Sequence, residues 1–402
     1  MLTGVYRNKS NKKRKPRKIV SNDNQPKRIS RVTTMRALTW TGLSPPPPAM
    51  VARMTMTSKM VALRRTTLRK DRVRVRATAS SSAAVSSGGV VEAVGLDEIG
   101  EKSEKWKWKG EYSINYFVKS SPEEVTPASQ TVLLVHGFGA SIPHWRRNIN
   151  ALSKHHTVYA IDLLGFGASE KPPGFSYTME SWAELILNFL EEVVQKPTVL
   201  IGNSVGSLAC VIAASEESQR DLVKGLVLLN CAGGMNNKAV FDDWRIKLLM
   251  PLLLLIDFLL KQRGIASALF NRVKDRENLK NILTNVYGNK DNVDDTLVEI
   301  IAGPANSEGA LDAFVSILTG PPGPNPITLI PGITKPVLVL WGDQDGLTPL
   351  DGPVGKYFTS LPDQLPNFNL YVLEGVGHCP QDDRPDLVHE RLLPWMAQLS
   401  ST

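Results

Sequence analysis

Gly202-Asn203-Ser204-Val205-Gly206 constrains the fold of this 402-residue chain more than any other stretch. It follows an apolar run, Thr198-Val199-Leu200-Ile201, and leads into a helix-forming segment over residues 205–216. The pattern predicts a buried strand, an abrupt turn and a helix. So sharp a turn presses its flanking positions against neighbouring backbone, where only glycine lacks a Cβ to clash. It lifts the Ser204 hydroxyl clear of the strand end, toward substrate.

A serine hydroxyl becomes a useful nucleophile when a base removes its proton, and the base needs a carboxylate to hold its tautomer. In chains built on such an elbow the order is serine, acid, histidine. Asp345 lies in the loop Gly342-Asp343-Gln344-Asp345, after an apolar strand at 336–341. Asp343 is its rival; Asp345 is preferred because it stands three residues after the loop glycine. His378 ends the loop Gly375-Val376-Gly377-His378 after a strand at 370–374, and no other histidine lies between Ser204 and Val388. His389, in a terminal helical segment, reads as a surface residue. The negative oxygen of a tetrahedral intermediate also needs donors. Strand 131–135 runs into His136-Gly137-Phe138-Gly139, so the backbone N–H groups of Phe138 and Val205 are the expected pair. His136 itself reads as structural.

Two alternating stretches, 106–110 and 112–116, suit half-exposed antiparallel edge strands. Six buried apolar strands follow, at 131–135, 157–161, 198–202, 225–229, 336–341 and 370–374. Helical segments include 180–194, 205–216 and 385–398. Buried strands alternating with helices predict an α/β fold: a mostly parallel eight-stranded sheet covered by helices on both faces. Catalytic loops then gather at the carboxyl ends of the strands. No repeat and no second independent domain are expected.

The interval from Cys231 to Thr334 breaks this rhythm and is read as a helical cap, about 232–334, inserted after the sixth strand. It contains thirteen residues, Leu248 to Leu260, apolar apart from Asp257. Such a helix rises about 20 Å, too short to span a bilayer. Its apolar circumference leaves two readings open: a helix buried within the domain, or one that meets a lipid-like substrate or a membrane surface.

Charge is spread unevenly. Residues 1–76 hold 21 lysines and arginines against two acids, Asp23 and Asp71, whereas the rest of the chain holds 26 basic and 37 acidic residues. The basic head is rich in Ser, Thr and Arg and lacks a long apolar stretch. That is the composition of a transit peptide, not of a secretory signal. Residues 1–77 are accordingly read as a chloroplast transit peptide, 78–103 as a flexible linker and 104–402 as the catalytic domain. The rival reading takes Lys12 to Lys18 as a nuclear or nucleic-acid patch. The acidic domain after residue 77 argues against a nucleic-acid partner. Three cysteines without CxxC spacing suggest a reducing compartment, and Cys379 reads as a packing residue. No metal-ligand spacing is visible, and the chemistry requires no metal or cofactor.

From about Trp106 to Gln398 the chain resembles the α/β-hydrolase superfamily. The resemblance rests on its H-G-F-G, D-L-L-G-F-G-A-S, G-N-S-V-G, G-D-Q-D and G-H-C-P loops. Within it, Gly202 to Ser207, Leu229 to Met235 and the plastid-type head are similar to the pheophytinase-related dephytylases of plant chloroplasts. Many relatives carry a second glycine where this chain has Ser207, a departure that bears on helix packing. The resemblance implies a serine esterase, with Ser204, Asp345 and His378 as triad. Its substrate would be the phytyl ester of chlorophyll, cleaved to chlorophyllide and phytol at the thylakoid surface. A pheophytinase, a general chloroplast lipid esterase and a non-enzymatic ligand receptor remain alternatives.

Overall fold

A computed structural model describes residues 91–120, 129–217, 221–236 and 244–399, the side chains of 244–251 excepted. All belong to one compact unit, Ser82–Thr402. The expected transit peptide and the first half of the expected linker lie outside the described residues.

Eight strands form one sheet: β1 (Ser103–Trp108), β2 (Tyr112–Lys119), β3 (Thr131–Val135), β4 (Thr157–Ile161), β5 (Thr198–Asn203), β6 (Val223–Leu229), β7 (Val337–Gly342) and β8 (Phe368–Leu373). Their order is β1-β2-β4-β3-β5-β6-β7-β8. The pairs β1/β2 and β2/β4 are antiparallel, and every later pair is parallel. The antiparallel edge, the eight strands and the mostly parallel sheet agree with the reading from periodicity, with strand ends displaced by up to three residues.

Successive residues of the central strands supply two different cores, because side chains alternate across a strand. Leu133, Leu200, Leu226, Leu228 and Val339 pack on one face with helices α3 (Met179–Phe189) and α4 (Val205–Glu216). Leu134, Ile201, Val227 and Leu340 pack on the other with α2 (Arg146–Ser153) and the final helix, α13 (Pro385–Leu399). α1 (Leu96–Lys102) joins this second layer through Ile99.

That helix corrects the expected linker boundary. Val94 and Ile99 are buried, and the Val94 N–H donates to Arg146 O at 2.9 Å. Together with the Glu98–Lys119 ion pair at 2.9 Å, these contacts bind residues 94–103 to the domain, although the composition just before them is polar and small.

Between β6 and β7 lie the cap helices α5 (Trp244–Leu260), α6 (Arg263–Lys274), α7 (Arg276–Val286), α8 (Asp295–Ala305), α9 (Ala310–Thr319) and α10 (Pro326–Leu329). The insertion falls after the sixth strand, as expected. α11 (Pro353–Ser360) links β7 to β8, and α12 (Pro380–Asp383) precedes α13. The cap contradicts one of the two readings of the apolar run. α5 is not a buried helix: Leu254 is 61% and Phe258 60% exposed.

Candidate active site

Ser204 sits between β5 and α4 with φ 56° and ψ −120°, a conformation that L-residues rarely adopt. Such backbone strain is held in place by its surroundings, at about 1–3 kcal/mol. The surroundings are visible. Ser204 N–H donates to Leu229 O at 3.0 Å, and Ser204 O accepts from Ala232 N–H at 3.2 Å. A Cβ on Gly202 would lie 2.5 Å from Ser207 N, and one on Gly206 2.4 Å from His136 O. Both flanking positions therefore exclude side chains. Ser207 is buried and satisfied. Its hydroxyl donates to Gly202 O at 2.7 Å and accepts from Leu229 N–H at 3.1 Å, tying α4 to β5 and β6.

Loops at the carboxyl ends of β7 and β8 bring Asp345 and His378 together. His378 Nδ1–H donates to Asp345 Oδ2 at 2.8 Å, with both side chains buried. Asp343 is turned away and exposed, accepting the Gly375 N–H at 2.8 Å. Burial opposes charge on Asp345. Hydrogen bonds from His378 and Thr348 outweigh it, holding the carboxyl well below the usual carboxylate range. Leu347 N–H and Thr348 N–H donate to its Oδ1 at 2.7 and 3.0 Å. Asn230 Nδ2 donates to Oδ2 at 2.6 Å, while its own Oδ1 accepts from Gly342 N–H at 3.1 Å. Asn230, buried and at φ 44°, closes β6. Sequence reasoning assigned it no role; its signal was a lone amide ending a buried apolar strand.

The histidine is steadied at its backbone as well. Asn203, beside the serine, donates Nδ2 to His378 O at 3.0 Å, and His378 N–H donates to Val286 O of α7 at 2.8 Å. Asp383, also unassigned from sequence, accepts from Gly377 N–H, Gly288 N–H and Asn289 N–H at 2.6, 2.8 and 2.8 Å. Burial pushes its carboxyl upward, and these donors oppose that. The histidine loop is thus clamped to the cap segment that joins α7 and α8.

The backbone of the His136–Gly139 loop runs beside the nucleophile: a Cβ on Gly137 would meet the Ser204 Cβ at 3.2 Å. Among the described residues, neither Phe138 N–H nor Val205 N–H donates to a protein acceptor; Val205 opens α4, where such a group has no intrahelical partner. His136 is structural: its Nε2 accepts from Leu163 N–H at 3.0 Å, so Nδ1 carries the proton toward Gly137 O at 2.7 Å. The Phe138 ring meets Phe166 and Phe314, and Phe314 meets Phe270 of α6. These rings line an apolar cavity of about 60 Å³ under the cap. Asp162 pins the neighbouring loop, accepting from Ile142 N–H, Ala168 N–H and Asn115 Nδ2.

Two readings from sequence need revision or completion. His389 is not a free surface residue; its Nε2 lies 3.2 Å from Asn148 Oδ1 on α2, and burial pushes its pKa down to about 4. Cys379 is buried, with its thiol pushed well up by burial, which suits packing rather than nucleophilic chemistry. Among the described residues, no group of three His, Cys, Asp or Glu side chains is placed to hold a metal ion.

Comparison with known proteins agrees with the architecture. The alpha/beta hydrolase fold family matches residues 130–385. The uncharacterized hydrolase YugF of Bacillus subtilis (strain 168) is 29% identical over 271 residues, 66% of this chain and 89% of its own length. The chloroplastic pheophytinase of Arabidopsis thaliana is 26% identical over 336 residues, 73% of this chain and 66% of its own. Two solved structures share the fold. A serine hydrolase involved in carbazole degradation has a TM-score of 0.56 at 21% identity, covering 74% of this chain and 98% of its own. The epoxide hydrolase CorEH has a TM-score of 0.58 at 19% identity, covering 74% and 99%. A family match over more than half of the sequence, on a sheet of this order, leaves one assignment: the chain belongs to the alpha/beta hydrolase fold family.

Proposed function

We propose that this hydrolase is a serine carboxylic-ester hydrolase acting on a long apolar ester, the phytyl ester of chlorophyll in chloroplasts, at the thylakoid surface. The observation that carries the ester chemistry is the buried His378–Asp345 pair, 2.8 Å apart, across the strand ends from the strained Ser204. An aspartate nucleophile, as used for epoxide opening, is absent from the elbow, where serine stands. The plastid-type head and the similarity to a chloroplastic pheophytinase support the substrate class and compartment.

In this mechanism Ser204 Oγ attacks the ester carbonyl while His378 Nε2 takes its proton. Asp345 holds Nδ1–H and stabilises the imidazolium. The backbone N–H groups of Phe138 and Val205 receive the developing oxyanion. Collapse of the tetrahedral intermediate passes the proton from His378 to the leaving alcohol oxygen and leaves an acyl group on Ser204. Water, deprotonated by His378, then attacks the acyl carbon, and His378 returns that proton to Ser204 Oγ as the acid is released. Apolar contacts to the alcohol chain supply binding energy without any charged partner.

Incubating the full chain with chlorophyll, pheophytin and a soluble short-chain ester tests the proposal, with Ser204→Ala as control. Chlorophyllide and phytol should form, and only with Ser204 present. Hydrolysis of pheophytin alone, or of short esters alone, would replace the substrate with one of the alternatives. Ester binding without turnover would indicate a receptor.

A further inference from the structure

We propose that the exposed face of α5, continued by α6, is where the protein seats on a lipid bilayer of net negative surface charge. The inference deepens the reading of an ester hydrolase working on membrane-borne substrate. Six large apolar residues of α5 are exposed: Leu252, Leu254, Leu255, Ile256, Phe258 and Leu259. At about 100° per residue they sweep one unbroken arc of roughly 200°. Leu253, Asp257 and Leu260, half-buried or buried, occupy the opposite arc toward the domain. The only charge in 252–260 therefore points away from the apolar face. α6, packed against α5, also exposes Ile265 and Leu269, while Ala266 and Phe270 are buried. Soluble monomers rarely leave a contiguous apolar surface of this kind uncovered.

Two observations choose the occupant. First, α5 has 17 residues, about 26 Å as a helix, and no described helix is long and apolar enough to cross a membrane. It can lie in the interface without spanning. Second, residues 252–274 hold Lys261, Arg263, Arg272 and Lys274 against Asp257 alone, although the chain beyond residue 76 has an excess of acids. An apolar arc with basic residues following it matches an anionic bilayer surface.

Because the basic head would itself bind anionic vesicles, the test must report on the face. Cys210, Cys231 and Cys379 are buried, so an environment-sensitive dye can be placed on the full chain at Leu255→Cys. A second label goes at Lys154→Cys, where α2 ends at the opposite pole of the sheet. With vesicles of phosphatidylcholine and phosphatidylglycerol, the label at 255 should shift to the blue and be quenched by nitroxide lipids. The label at 154 should not. Leu254→Ser with Phe258→Ser should remove most of the blue shift and nitroxide quenching at 255, with soluble-ester turnover unchanged. No response at 255 in protein that still hydrolyses the soluble ester would overturn the docking face and leave the hydrolase reading standing. A blue shift without vesicles that grows with protein concentration would also overturn it, in favour of a second copy of the chain. Insertion without Ser204-dependent turnover of any ester would instead sink the proposed function.

Discussion

Asn230 donates its side-chain amide to Asp345 at 2.6 Å, from the end of one strand to the loop beyond the next. With its carbonyl held by Gly342 N–H, the amide has a single orientation, and so has the Asp345 oxygen that faces His378. Asn230→Ala should lower turnover of a soluble ester roughly 10- to 100-fold, since a misplaced group can forfeit about 10²-fold. The effect should fall mainly on kcat. An unchanged kcat with only a lowered melting temperature would reduce Asn230 to a packing residue.

The triad assignment makes sharper demands. Ser204→Ala and His378→Ala should each reduce kcat on the order of 10³-fold or more, with folding intact by circular dichroism. Asp345→Asn should approach 10⁴-fold, since the amide favours the wrong histidine tautomer. Asp343→Asn should be mild, because among the described residues Asp343 accepts only from the Gly375 N–H. If Asp343 proves the sensitive carboxylate, the acid has been misassigned.

Asp383 couples the cap to the histidine loop. Asp383→Ala strands three backbone donors, Gly377 N–H buried and the other two part-buried, so stability should fall by about 1–3 kcal/mol. Turnover of a soluble ester should fall too, because Gly377 adjoins His378. Asp383→Asn should recover part of both. Denaturant unfolding and kcat measured side by side will show whether the clamp positions the base or only holds the cap.

Acid should weaken the fold before the carboxylates titrate. Burial pushes His144, His156 and His389 down to about 4 from an ordinary 6.5. Between these values the unfolded chain binds more protons than the folded one, so stability falls as pH drops from about 6.5 to about 4. His156 accepts from Gln130 N–H through Nδ1, a bond that an asparagine oxygen can imitate. In His156→Asn the steepness of stability against pH should shrink by the share of about one proton. An unchanged slope would show that His156 takes up its proton as readily in the folded protein as in the unfolded chain.

The amino-acid order by itself determined what depends on near neighbours and short periods. Apolar runs marked the buried strands, and glycines on either side of Ser204 marked a turn whose geometry excludes side chains at 202 and 206. Asp345 and His378 were legible because each stands in a loop directly after an apolar strand. Only the tertiary structure decided what holds them. Asn230 reaches Asp345 across 115 residues of sequence, and Asp383 meets Gly288 across 95. Neither distance leaves a periodic trace, since strand order and cap placement bring those residues together. The same limit applied to α5. A segment apolar on every side has no pattern that says which arc faces out; that was decided by where the domain met Leu253, Asp257 and Leu260 and left Leu254, Leu255 and Phe258 uncovered.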